Sequence, residues 1–352
     1  MGIRISFVGD ICINNGYDKL ADYGIDPFKD LRLSFEKSDY LIGNFESPIL
    51  TKKGINRNKK LFLYSNEKAV KLLGVLPFNL MTLSNNHLLD TLEEGFYKTK
   101  KCLSDLGIKS FGAGDFSKGD HHIYSTEIQG NKVTFINTCH QDTNPRTPKS
   151  NIKLLIYNIK KMEALVREHA KSSDYVIPIL HWGGIMDYSH FPAKYQIKDA
   201  RTLIDAGAAA IIGHHPHCIQ PLDSYKGRPI VYSIGNFCFD DVITHGKLIK
   251  VRKTGKSGYI CHLDLDEDTS KLKVEEIENK NLNINIRSRK FYHKLIDYQL
   301  YMFKIFPFAF KLQKQFLLKI EPKIFYYQMS DKSLLEKLKT FNLRKLKSFF
   351  RS

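Results

Sequence analysis

Ala208-Ala209-Ala210-Ile211-Ile212-Gly213-His214-His215-Pro216-His217 is a short apolar run that stops at a glycine and gives way to three imidazoles in four positions. Residues 209–212 read as a buried strand and 213–217 as the loop that ends it. Packing gains nothing from three imidazoles there, and burying them unpaired is costly. The run therefore points to metal binding.

Working outward, the same grammar recurs. Residues 3–8 form an apolar strand ending at Gly9-Asp10, and 40–42 one ending at Gly43-Asn44, with Glu46 beyond. Residues 80–83 end at Ser84-Asn85-Asn86-His87, 175–180 at His181-Trp182-Gly183, and 230–234 at Gly235-Asn236. Residues 133–136 read as another strand, and 258–265 with 272–277 as a closing hairpin. Between them the spacing predicts helices over 91–106, with Thr91 as N-cap, over 151–171, and over 194–206, stopped by Gly207. Strands alternating with helices predict an α/β fold. In such sheets ligands gather at the carboxyl ends of strands, so groups far apart in sequence converge. A lone Asp or Asn after a strand is more often a turn residue. His121, His122, His140 and His190 are read as structural for a similar reason. The converging set is a mixture of carboxylates, amides and imidazoles. It suits Mn, Fe or Zn rather than a thiolate or all-oxygen site, and it is too large for one tetrahedral ion and about right for two.

These motifs, in this order, resemble the CapA family of bacterial capsule and poly-γ-glutamate biosynthesis proteins, a branch of the calcineurin-like metallophosphoesterase superfamily. They are Gly9-Asp10, Asn44-Phe45-Glu46, Asn85-Asn86-His87-Leu88-Leu89-Asp90, His181-Trp182-Gly183, Gly213-His214-His215-Pro216-His217 and Tyr232-Ser233-Ile234-Gly235-Asn236-Phe237. The resemblance implies a four-layer αββα sandwich with divalent metal ions, two of them, at the strand ends. It implies Asp10, Glu46, Asn86, His181, His215 and His217 as metal ligands, with Glu46 bridging. His87 would be the catalytic acid and Asp90 the residue orienting it. Asn44, Asn85, His214 and Asn236 are candidates for substrate contacts. Two departures stand out: Cys12 where the superfamily has a histidine, and Asn44 where it has an aspartate. The implied chemistry is two-metal hydrolysis or transfer at a phosphoester or acyl phosphate, with cations about 3.5–4 Å apart. The alternative is an amide-bond-forming or non-catalytic component of a capsule assembly complex.

Composition frames the partners. The 352 residues carry 54 Lys+Arg against 37 Asp+Glu, a net charge of +17, so an anionic partner is expected: a phosphorylated or anionic small molecule or polymer. The 42% hydrophobic content excludes a disordered chain. Cysteines at 12, 102, 139, 218, 238 and 261 stand singly, which argues against a zinc ribbon or a disulfide framework. No signal peptide and no apolar run near the ~18 residues of a membrane span is read. The expected location is cytoplasmic, with a peripheral position at the inner membrane face as the alternative. Residues 281–352 hold 16 Lys/Arg and 4 Asp/Glu with many aromatics. The chain is accordingly divided into a metallophosphoesterase-like domain, 1–284, and a basic, aromatic-rich helical extension, 285–352. Amphipathic helices are drawn over 298–320 and 334–350. They suit packing on the domain or peripheral contact with an anionic membrane. Nucleic acid is set aside because no recognised binding motif is present.

Overall fold

In the computed structural model, residues 2–306 are described, apart from 120, 146, 185–187 and 268. The helix drawn over 334–350, and the part of 298–320 beyond 306, lie outside the described residues.

The first strand, Ile3–Cys12, shows how the layers arise. Its residues are buried on both faces: Ile3, Ile5 and Phe7 enter one core, Val8 and Ile11 another. A strand covered on both sides belongs in the middle of a layered sheet. It pairs antiparallel with Ser257–Leu265 and parallel with Tyr40–Phe45, while its carboxyl end also pairs parallel with Asn236–Phe239. Leu80–Thr82 and Lys109–Phe111 extend this eight-stranded sheet on one side, and Ser270–Lys280 and Asn283–Arg287 on the other. A second sheet runs in the order Leu222–Tyr225, Arg228–Val231, Ile211–His214, Tyr175–His181, Asn131–Cys139, Ile123–Ile128.

Three cores separate four layers. Phe7, Phe135, Tyr175, Ile177, Ile212, Val231 and Tyr259 fill the space between the sheets. Phe96 and Leu103 of the helix Leu92–Asp105 pack on the outer face of the first sheet. Met162 and Val166 of the helix Ile159–His169, with Ala200 and Leu203 of Lys194–Asp205, cover the second. The expected αββα sandwich is the observed one.

Two helices differ from expectation. The helix expected over 151–171 begins at Ile159, because Lys153–Leu154 pairs instead with Ala113–Gly114. Asn158 then caps it, its side chain accepting from the Lys161 amide at 3.1 Å. Thr91 stands at the N-cap of Leu92–Asp105 but makes no capping bond with its side chain. Near the end of the described chain, the strand Asn283–Arg287 runs across position 284/285. The helix Phe291–Ile305 comes next. It buries His293, Ile296, Leu300 and Phe303 and exposes Phe291, Tyr298 and Tyr301. All six cysteines are buried and none forms a disulfide. Among the described residues no helix is long and apolar enough to cross a membrane.

Candidate metal centre

Strand register delivers the site. In the first sheet Asn236, Asp10, Asn44 and Thr82 are successive Cα partners, forming one polar row across four strands. In the second sheet Cys139, His181 and His214 form the matching row. Tyr40–Phe45, Leu80–Thr82, Tyr175–His181 and Ile211–His214 are apolar until they reach this level.

Asp10 is aimed by a bulge. Pairing with Tyr40–Phe45 shifts register between Phe7 and Asp10, and a bulge of this kind bends the strand and redirects a side chain. Gly9 makes it feasible, since a Cβ there would sit 1.9 Å from the Gly235 carbonyl oxygen. That carbonyl instead accepts from the Asp10 amide at 2.9 Å.

The row folds into a buried cluster. Oxygen and nitrogen atoms of Asp10, Glu46 and His181 all lie within 4.8 Å of one another, a spacing that fits shared coordination of a cation. The donor set, two carboxylates and an imidazole, fits a borderline divalent ion such as Mn, Fe or Zn. Asp10 accepts from His214 Nδ1 at 3.0 Å and from the His215 amide at 3.2 Å. Burial pushes its carboxyl up, but the hydrogen bond and charge of His214 outweigh this and hold it below the usual range. His181 Nδ1 lies 3.3 Å from Glu46 Oε1, and its Nε2 lies 2.9 Å from Asn86 Oδ1. Burial first, then the neighbouring His215, His214 and His217, hold the His181 imidazole well below its ordinary value, so it is neutral and able to coordinate.

The remaining candidates are placed around that nucleus. His215 Nδ1 is 3.2 Å from His181 Nε2. His217 Nδ1 is 3.4 Å from Asp10 Oδ2 and 3.0 Å from Asn236 Oδ1, and its Nε2 is 3.8 Å from Glu46 Oε2. Both His215 and His217 have positive φ, a conformation that non-glycine residues rarely adopt and that clusters at functional sites. Asn236 also donates to the Gly255 carbonyl at 2.8 Å, which fixes the oxygen it presents to His217. Asn85 donates to the Phe45 carbonyl and accepts from the His87 amide, tying the loop after Leu80–Thr82 to the neighbouring strand.

Asn44 explains one departure. Its Oδ1 accepts from Thr82 Oγ1 at 2.9 Å, which turns the NH₂ group toward Asp10 Oδ1 at 2.8 Å and Glu46 Oε1 at 3.0 Å. An aspartate there would face two carboxylates; the amide links them instead. Cys12 explains the other. It is fully buried in an apolar cluster with Leu63, Phe239, Val242 and Val251, and burial raises its thiol far above the ordinary range. It is core, not ligand.

Sequence reading missed Lys59. Its ammonium, buried, donates to Asp90 Oδ1 and to the Asn86 carbonyl, each at 2.7 Å, and lies 3.2 Å from His87 Nδ1. Asp90 Oδ2 meets His87 Nδ1 at 2.5 Å and accepts from the Leu63 amide. Burial, then the Lys59 charge, lowers His87 to about 4 against the opposing pull of Asp90. Lys59 sits in a lysine-rich stretch without strand or helix periodicity, so nothing local marked it.

Facing sheets that bring carboxylates and imidazoles from separate strand ends to one buried point define a scaffold of metallophosphoesterase type. The fold is similar to that of a phosphatase from Mycoplasma pneumoniae, with a TM-score of 0.50 and 15% identity over 84% of this chain and 97% of that one. The chain belongs to the bacterial capsule synthesis family, whose description reads "Bacterial capsule synthesis protein PGA_cap" and whose pattern matches residues 4–241. It is 32% identical over 244 residues to the PGA biosynthesis protein CapA of Bacillus subtilis, covering 68% of this chain and 63% of that protein. It is 31% identical over 258 residues to the capsule biosynthesis protein CapA of Bacillus anthracis, covering 70% and 62%. The matched region thus spans under two thirds of the length of these relatives.

Proposed function

We propose that this chain is a metal-dependent enzyme of capsule or surface-polymer biosynthesis, acting at a phosphoester or acyl phosphate. The observation that carries the reading is the meeting of Asp10, Glu46 and His181 within 4.8 Å, delivered by three strands and buried from water. Two carboxylates held this close in a dry site repel one another, and a cation removes that cost. Asn86, His215 and His217 ring the same space and are proposed to complete the coordination, with room for a second ion. Bound divalent ions would supply Lewis acidity, generating a nucleophile near neutral pH and stabilising charge on a phosphoryl oxygen.

The protein's own groups supply orientation and proton transfer. Lys59 and Asp90 fix His87 through its Nδ1 side, leaving Nε2 for substrate. His87 is uncharged in the free protein, so its service as a general acid depends on a phosphoryl anion drawing its proton affinity up on docking. His214 and Asn44 hold Asp10 in place, and Asn236 holds His217.

Turnover of aryl phosphomonoesters and phosphodiesters with added Mn tests this. His87→Ala should retain metal content and lose at least tenfold in rate, whereas His215→Ala should lose metal. Full metal occupancy in purified His215→Ala would overturn the ligand assignment, and wild-type protein that holds metal yet turns over neither ester would favour a non-catalytic assembly role.

A further inference from the structure

The end of the fold opposite the candidate centre holds a cavity of about 550 Å³, within the size range of small-molecule sites. It lies between the edge strand Leu222–Tyr225, the start of Ser270–Lys280 and the helix Phe291–Ile305. Ser270 pairs with Leu265 and Leu265 with Ile3, at the amino end of the strand whose far end carries Asp10. At about 3.3 Å per residue, the run from Ile3 to Asp10 places the two sites roughly 20 Å apart. The metal chemistry makes no use of this cavity.

Its walls are held in place by named contacts. Asp297 ties the helix to the edge strand: its Oδ1 accepts from the Leu222 amide at 2.8 Å and its Oδ2 from Arg289 at 2.5 Å. Asp223 accepts from the Tyr232 hydroxyl at 2.9 Å and from the Lys304 ammonium. Arg228 Nη1 donates to Ser270 Oγ at 2.6 Å, bracing one sheet against the other. The helix docks through Ile296, Leu300 and Phe303, all buried, while Tyr298 and Tyr301 line the cavity and remain 57% and 56% exposed. Three residues apart, these two rings share one helix face. Neither is needed to dock the helix.

We propose that this cavity binds a neutral oligosaccharide, held by the Tyr298–Tyr301 platform and by hydroxyl contacts to Asp223, Asp297, Ser224 and Ser270. Among the described residues, those lining it include two carboxylates and no lysine, arginine or histidine, which disfavours an anion. A cation is disfavoured too, because Lys304 and Arg289 already neutralise the two carboxylates. Carboxylate and serine oxygens retain lone pairs for hydroxyl donors, and a wholly apolar ligand would leave them unpaired. A tyrosine ring offers a rigid, amphipathic face at small entropic cost, which matches the C–H face of an equatorially substituted pyranose. The site goes beyond the metal-dependent reading and gives the chain a second, carbohydrate-holding surface.

Cellotetraose, N-acetylchitotetraose and tetraglutamate are titrated calorimetrically into the full chain, stripped of metal with EDTA. At least one of the two sugars should bind saturably, with a Kd of about 5 mM or below, and more tightly than tetraglutamate. Tyr298→Ala/Tyr301→Ala should weaken sugar binding roughly tenfold or more while leaving the melting temperature unchanged, since both rings are exposed. Tyr298→Phe/Tyr301→Phe, which keeps the ring faces, and Tyr23→Ala, an exposed tyrosine elsewhere, should each stay within about threefold of wild type. No saturable binding of either sugar at about 20 mM, unchanged affinity in the double alanine variant, or an equal loss in the phenylalanine or Tyr23 variant would overturn the proposal. So would tighter binding of tetraglutamate than of both sugars. Because the titrated protein is metal-free, these outcomes do not depend on the catalytic reading, which metal content and ester turnover test separately.

Discussion

Asn44 shows how much one side-chain amide decides here. Its two N–H groups join the Asp10 and Glu46 carboxylates, and Thr82 keeps it from flipping. Asn44→Asp places a third carboxylate against two buried ones, at a cost of about 1–3 kcal/mol for lost hydrogen bonds alone. The metal-free variant should melt lower than wild type, and added Mn should raise its melting temperature by more than it raises that of wild type. Equal melting of the two proteins with and without Mn would show that Asn44 does not bridge the carboxylates. At this scale the sequence was most readable where chemistry is unusual: His214, His215 and His217 stood out because imidazoles after a buried strand have no packing rationale. Lys59 did not, since lysine in a polar loop is ordinary until tertiary structure buries it against Asp90.

Among the elements, strand ends were legible because apolar runs terminate sharply, as at Gly9-Asp10 and Leu180-His181. The onset of Ile159–His169 was not, because 153–154 carries the same apolar spacing as the helix but is claimed by a strand partner some forty residues earlier. Nor was the seam that fixes the helix Phe291–Ile305 to the first sheet. Glu276 accepts there from Arg287, from the Lys290 amide at 2.9 Å and from His293 Nδ1 at 2.9 Å. Burial alone would raise its carboxyl; those donors win and lower it to about 2. A depressed carboxyl contributes stability that is present above the unfolded-state value near 4.5 and is lost as pH falls toward about 2. Glu276→Gln should therefore unfold at lower denaturant than wild type at pH 7, with the gap closing between pH 4.5 and pH 2. A gap that stays constant across that window would place the stabilisation elsewhere.

Across the whole molecule, two sheets stack so that Asn236-Asp10-Asn44 and His181-His214 lie at one level. Ordered motifs in the sequence anticipated that convergence, but they held no information on how tightly it closes or on the loops that border it. Loops 50–64 and 242–256 are a case in point: separated by about 190 residues of sequence, they meet through contacts such as Phe62–His245, Lys59–His245 and Thr244–Lys60. The most direct test of the account is calorimetric titration of Mn or Zn into EDTA-stripped wild-type protein and into a Glu46→Gln/His181→Ala double variant. Saturable binding of at least one ion per chain by wild type, lost in the folded double variant, is the predicted result; equal binding by both proteins, or none by wild type, would contradict a metal centre at these strand ends.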